Sequence, residues 1–271
     1  MQKNDAIFTF TRIVAAIVIP FLWVAFLILF FMPDQTGQRF AWAIKPHLTS
    51  LYIGAGYFGG SWLFVNTLFG KRWHRVHGGF PPITIFTWYM LIATLLHWGR
   101  FSHGTLGFYA WVILYIITPF LVPAIWLYNR RTDPGTPETS DVMAPSALLW
   151  VLRIVGSLVV LFSIAGFLYP SFFIGIWPWT LTPLTARVMS GWVVLLGVGA
   201  LTLSTDPRWS AWRVPAESFV IWHVLVLVAF YLEASNFTTG PLNWFTVTVA
   251  LLVAGLVLLY VVMERQRRKA A

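Results

Sequence analysis

The sequence predicts an all-α integral membrane protein, with eight transmembrane helices forming two parallel four-helix repeats and both termini cytoplasmic. Three observations carry this expectation. Of 271 residues, 58% are hydrophobic and only 10% charged, more apolar surface than a soluble core of ordinary composition can take in. Stretches nearly free of charge and about 17 to 25 residues long, enough to cross ~30 Å of hydrocarbon, recur eight times. Lastly, a set of Trp, Pro, Arg and Gly residues returns at a nearly constant interval along the chain.

The first stretch, 13–32, follows Lys3 and Arg12 and has the form of a signal anchor rather than a cleavable leader. Pro20 inside it is tolerable where neighbouring helices satisfy the freed carbonyl. The second, 48–69, is crowded with Gly54, Gly56, Gly59, Gly60 and Ser61; its counterpart at 185–204 carries Ser190, Gly191, Gly197, Gly199 and Ala200. Small residues let helix backbones approach in lipid, where van der Waals contact replaces the hydrophobic effect as the driving force. These two helices are therefore expected inside the protein. The other spans are 80–98, 106–128, 146–169, 215–232 and 243–263, with Arg153 near one end of the fifth, where a long side chain can snorkel.

Loop charge sets the orientation. Of the 18 basic residues, Arg39, Lys45, Arg100 and Arg187 fall on one side of the eight-span arrangement and the other 14 on the side of the termini, which the positive-inside bias makes cytoplasmic. The net charge of +9 is thus a membrane signature, and no nucleic-acid partner is expected. Cysteine is absent, removing disulfides, thiolate metal sites and Cys nucleophiles together.

Residues 129–145, NRRTDPGTPETSDVMAP, form the longest polar stretch and read as a flexible cytoplasmic linker. It separates a first four-helix unit, 1–128, from a second, 146–271. The units share landmarks: Trp42 and Pro46 match Trp179 and Pro183 at an interval of 137, while Arg72-Trp73 matches Arg208-Trp209, and Phe101, Gly104 and Leu106 match Phe237, Gly240 and Leu242, at 136. Anchors in the same order and in equivalent loops predict an internal duplication. An even number of spans per unit makes the copies parallel, related by a pseudo-twofold along the membrane normal.

Candidate functional residues gather on the outer side. His97 and Arg100, with His103 just beyond, close the third span; Glu233 ends the seventh and Arg187 opens the sixth. Together with Trp42 and Trp179 they are a candidate set for an anionic or amphipathic ligand, guanidinium groups donating and indoles forming walls. The competing reading is an Arg187–Glu233 ion pair and an ordinary interfacial aromatic belt. His223, surrounded by apolar residues, is the one histidine placed to ligate haem or a chlorophyll-type pigment. No cofactor is expected, since the other intraspan histidine, His97, sits toward the opposite surface. His74 and His77 have H-x-x-H spacing, but neighbouring cations oppose a metal and none is expected; the basic loop 71–77 that holds them is better suited to binding lipid headgroups. H-E-x-x-H, P-loop and G-x-S-x-G patterns are missing, which argues against an enzyme.

The run WPWTLTPLTAR at 177–187 resembles one carried by uncharacterised bacterial multi-pass membrane proteins. The resemblance covers a small part of the chain and implies a bacterial inner-membrane address, with no activity, cofactor or ligand residues attached. The resulting expectation is binding or transport of a small ligand through an outer-face vestibule. The alternatives are an accessory subunit of a larger membrane complex or homo-oligomer, and a haem- or pigment-binding oxidoreductase subunit.

Overall fold

The computed structural model describes residues 3–270; Met1, Gln2 and Ala271, the outer ends of the two predicted units, lie outside the described residues. It is helical, with no strand among the described residues. Ten α-helices run in chain order: α1 Thr9–Phe31, α2 Thr36–Arg39, α3 His47–Phe69, α4 Phe80–Leu96, α5 Leu106–Asn129, α6 Ser146–Leu168, α7 Pro170–Ile176, α8 Pro183–Leu203, α9 Trp209–Leu232 and α10 Trp244–Ala270. Eight are long, and each covers one of the stretches expected to span. Seven of them are long and apolar enough to cross a membrane. The exception, α3, matches α1 in length but not in apolarity, because its glycines, Ser50, Ser61 and tyrosines dilute the aliphatic residues. Those same residues mark it as interior: Leu48 through Tyr57 is buried without a break.

The helices pack in two rows. One runs α1, α3, α9, α10; the other runs α6, α8, α4, α5. Each row therefore takes its first two members from one half of the chain and its last two from the other, and a single large core draws on both halves. Close approach makes this possible. A Cβ on Gly59 of α3 would sit 2.5 Å from the Trp222 Cβ and 2.8 Å from the Ser218 carbonyl oxygen of α9; a Cβ on Gly191 of α8 would collide with Met90 of α4. The rows meet where Trp192 of α8 lies against Gly56 and 5.2 Å from the Tyr57 ring, and where the Tyr57 and Tyr115 hydroxyls pair at 2.8 Å.

Matched positions recur as matched geometry. Trp42 packs on Phe101 at 5.4 Å and Trp179 on Phe237 at 5.7 Å. The Ser102 N–H donates to the Ala41 carbonyl (2.8 Å) and the Thr238 N–H to that of Pro178 (2.9 Å). Trp98–Arg100 and Ala234–Asn236 are both single 3₁₀ turns, followed by glycines in the left-handed region, Gly104 at φ +85° and Gly240 at φ +83°. Two pairs differ. Trp179 Nε1 donates to Thr49 Oγ1 at 2.8 Å and Trp209 Nε1 to Glu264 Oε1 at 2.9 Å, whereas the buried Trp42 and Trp73 Nε1 atoms have no partner among the described residues.

The first and last described segments reach one face, here the terminal face, where Asp5 bonds His74 and Glu264 bonds Trp209. The 129–145 linker lies across that face. In place of the flexible connection its composition predicts, it is tied down: Asp133, Glu138 and Asp141 each bond a residue of the helical body, and Met143 pairs with Arg208 in an isolated β-bridge. On the opposite, far face, α7 and the 177–182 stretch fold inward, with Phe173, Trp177 and Trp179 buried.

Gly59→Ala should lower the melting temperature in detergent, overpacking a tight helix crossing costing about 1 to 3 kcal/mol. Gly60→Ala, where the new methyl meets nothing within 4 Å, should leave it unchanged or raise it. Equal effects from the two variants would refute the crossing argument.

Candidate functional site

The far-face residues divide between two helix junctions. Arg187, in the second turn of α8, donates through Nε to the Phe167 carbonyl (3.1 Å), and its Nη1 lies 2.7 Å from Nε2 of His97 at the end of α4. Glu233, at the end of α9, is not with Arg187. It lies 3.6 Å from Nδ1 of His47 on α3 and accepts from Asn236 Nδ2 at 2.8 Å, while His47 Nε2 reaches Asp34 at 2.8 Å. His97 and Glu233 stand 136 positions apart, so the two clusters pin equivalent joints, α4 to α8 and α9 to α3. His103 Nε2 bonds the Trp98 carbonyl at 3.0 Å on the exposed surface, and Arg100 is exposed. Trp42 and Trp179 are core residues, 2% and 1% exposed, and form no vestibule wall. His223 donates from Nδ1 to the Phe219 carbonyl one turn earlier (2.9 Å) and stacks on the Phe219 ring at 3.9 Å. The other five histidines, 47, 74, 77, 97 and 103, lie at helix ends and in loops.

A denser constellation occupies the terminal face. The carboxylate of Asp5 accepts from the His74 backbone N–H (3.0 Å) and meets His74 Nδ1 at 2.5 Å. The carboxylate of Asp141 accepts from the Ser210 backbone N–H (2.9 Å) and from Ser210 Oγ (2.5 Å). These residues are again 136 apart, and the two devices touch, His74 Nε2 lying 3.0 Å from Ser210 Oγ. Asp5, His74 and Ser210 thus have the spacing of a nucleophile array, but not its proton arrangement. A general base needs a free lone pair on Nε2, and here that nitrogen also faces Glu138 Oε1 at 3.1 Å while Ser210 sends its proton to Asp141. The array anchors the N-terminal segment and the linker beside two buried tryptophans, Trp73 and Trp209.

Beside it, Arg208 donates to Asp133 (2.8 and 2.9 Å) and to Asp206 (2.6 and 2.9 Å), and His77 Nε2 lies 3.1 Å from Asp206. Burial alone would raise the Asp206 carboxyl; hydrogen bonds from His77 and Arg208 outweigh it and hold that group well below the usual carboxylate range. Asp133 is held down in the same way, against burial, by Arg208 and the Gly135 N–H, and Arg208 is pushed up by its two carboxylates despite burial. His77, Asp133 and Asp206 are close enough to share a metal ion, but Arg208 already supplies their counter-charge. His74 and His77, the H-x-x-H pair, turn to different partners.

Between these pins opens a cleft of about 220 Å³, lined by Lys71, Arg72, Arg75 and Arg213 with Asn66, Ser210 and Glu217. Glu138 of the linker accepts from Arg75 Nε and Nη2, both at 2.6 Å, and lies 3.4 Å from Arg72 Nη1. Burial alone would raise the Glu138 carboxyl, and the arginines hold it below its ordinary value. Glu217 accepts from Trp62 and Tyr260. The cleft is therefore a concentration of donors and positive charge at a helix-end boundary, suited to an anion. The sequence marks the basic 71–77 loop as better suited to a lipid headgroup than to a metal, but does not show that the acidic linker lies against it. Comparison with protein-family models, curated proteins and solved structures gives no match for this chain.

Carboxylates held below their ordinary values contribute stability that is complete above about pH 4 and is lost as pH falls toward the depressed values. Melting temperature in detergent should hold from about pH 7 to 5 and then fall steeply toward pH 3. The fall should be smaller in Asp206→Asn, which starts lower. A flat profile down to pH 3 would contradict the assigned role of the cluster.

Proposed function

We propose that this is an eight-span bacterial inner-membrane protein built from two parallel copies of a four-span unit, with both termini in the cytoplasm. In this reading α3 is the eighth span, shielded from lipid by α1 and α9, so that its low apolarity carries little penalty. The repeat is supported by the paired loops, turns and Asp devices at intervals of 136 and 137 and by the exchange of helices between rows. The cytoplasmic assignment rests on the basic residues of the terminal face, and the bacterial address on the resemblance of the 177–187 run.

Its activity, on this proposal, is to bind a small anionic or amphipathic ligand, and the site is the basic cleft of the terminal face rather than an outer vestibule. One observation carries this: Lys71, Arg72, Arg75 and Arg213 line one cavity with Glu217, and although Arg72 and Arg75 share Glu138 and Arg213 meets Glu264, Lys71 makes no ion pair among the described residues. The far-face residues first expected to bind the ligand, Arg187, His97 and Glu233, are instead engaged in joining helices. A second reading, a subunit of a larger membrane complex, draws on α10, in which only Val249, Met263 and Glu264 are buried. The mass of the complex in native detergent separates it from a lone binder.

In nanodiscs of zwitterionic lipid, small anions added one at a time should raise the melting temperature of the protein. Loss of two charge-assisted donors in Lys71→Gln/Arg72→Gln should weaken the best of them about tenfold or more. Identical affinities in wild type and double variant would sink the site. A reporter fused after Lys269 that proves periplasmic would overturn the orientation.

A further inference from the structure

Two of the cleft's arginines are already holding a carboxylate that belongs to the chain itself. Glu138 takes both donors of the Arg75 fork and lies within reach of Arg72 and His74. Its position is that of a ligand's anionic group rather than of a wall residue. On either side the strap is fixed, by Asp133 to Arg208 and by Asp141 to Ser210. Between those anchors Pro134 to Pro137 and Thr139 are exposed. The Thr136 carbonyl accepts from Arg208 at 3.3 Å and the Glu138 carbonyl from the Asp141 N–H at 3.0 Å, so Glu138 can leave its arginines by a rotation of its side chain and a small movement of the arc that follows Thr136, with both anchors in place. Lys71, in contrast, makes no ion pair among the described residues and stays exposed.

The geometry points to a phosphomonoester site closed by its own strap, in which Glu138 stands in for the phosphate and is displaced when ligand binds. This rests on the anion-binding reading of the cleft and names the ligand class. A carboxylate satisfies one guanidinium fork, as Glu138 does with Arg75. A phosphate dianion presents three terminal oxygens and a second charge, which suits Arg72, Arg75 and Lys71 acting together. The volume of about 220 Å³ is below the roughly 300 to 1,000 Å³ of pockets for drug-sized ligands, so a phosphate or a small headgroup fits. The cleft also runs from the 71–75 loop along α9 to Val214 and Glu217, two turns into a membrane-crossing helix. A basic cleft at the end of a helix apolar enough to cross a membrane suits the phosphate of a lipid such as phosphatidate, and free phosphate offers the same chemistry.

The test uses the full chain in phosphatidylcholine nanodiscs, titrated with inorganic phosphate, and in nanodiscs in which part of the lipid is phosphatidate or, in parallel, phosphatidylglycerol. Glu138→Gln should bind phosphate about tenfold more tightly than wild type, with Glu138→Asp between them. In wild type, saturating phosphate should speed amide hydrogen exchange across 134–139 as the strap is released, a readout that needs no variant. Retention of phosphatidate over phosphatidylglycerol in native mass spectrometry supports the lipid source. Phosphate binding without such retention supports the same site with a soluble source. Unchanged or weaker phosphate binding in Glu138→Gln, with strap exchange unchanged or slowed, overturns the closure by Glu138. If Lys71→Gln/Arg72→Gln still weakens another anion, the broader reading survives that failure; if no anion or lipid binds wild type or Glu138→Gln, both fall.

Discussion

The fit of α3 against α9, and of α8 against α4, is the constraint on which the rest depends. In lipid a helix gains nothing by hiding apolar side chains from water, so two helices stay together only as closely as their surfaces interlock. Gly59 admits the backbone of α9 at Trp222, and Gly191 admits Met90 of α4. Both contacts join opposite halves of the chain. Neither half can complete its packing alone, and everything at the helix ends follows from where this crossing puts them. It carries His74 and Ser210 to within 3.0 Å of each other on one face. On the other it sets Arg187 against His97 and His47 against Glu233.

Much of this was legible in the sequence because membrane helices are written in a strong code. Charge-free length located the eight long helices, missing the charged ends of α9 and α10 by six and seven residues, and glycine crowding identified α3 and α8 as interior. What could not be read was the exchange of helices between rows. Interval matching relates Trp42 to Trp179 but does not say whether α3 packs on α4 or on α9, since both surfaces are equally apolar. Errors at the site come from the same gap. Arg187 and Glu233 each terminate a span on the expected side, yet they sit at different junctions because their helices lie in different rows. The linker misled for another reason. Its Pro, Thr and Gly content describes a chain without regular structure, and a chain can be irregular yet anchored, here by Asp133 on Arg208, Glu138 on Arg75 and Asp141 on Ser210.

The two faces treat charge differently. On the far face Arg187 meets His97, and His47 meets Asp34 and Glu233, at the joints, while Arg39, Lys45 and Arg100 stay exposed without an ion pair among the described residues. On the terminal face the groups are shared unevenly: Arg208 takes two carboxylates, Asp133 and Asp206, whereas Glu264 serves both Arg213 and Arg267, and Glu138 is divided among Arg72, Arg75 and His74. An uneven distribution of this kind leaves positive potential where the sharing is thinnest. That place is the cleft by Lys71, so its attraction for anions follows from the whole arrangement rather than from one residue.

The unequal tryptophans show how the proposed copies have diverged. Trp179 donates to Thr49 across the boundary between halves. The position 137 residues beyond Thr49 is Ala186, which has no hydroxyl, and Trp42 is left with a buried N–H and no acceptor. A buried donor without a partner costs about 1 to 3 kcal/mol, a burden the aromatic packing of Trp42 on Phe40, Phe101 and Trp111 must offset. In the same first turns, Ser50 donates to the Leu29 carbonyl of α1, while the residue 137 further on, Arg187, donates to the Phe167 carbonyl of α6 and extends to His97. The second unit has thus gained a charge at a joint that the first closes with a hydroxyl. A guanidinium in that place ties three helices, α6, α8 and α4, where Ser50 ties two. Its presence is explained by the joint it holds, three helices tied by one guanidinium.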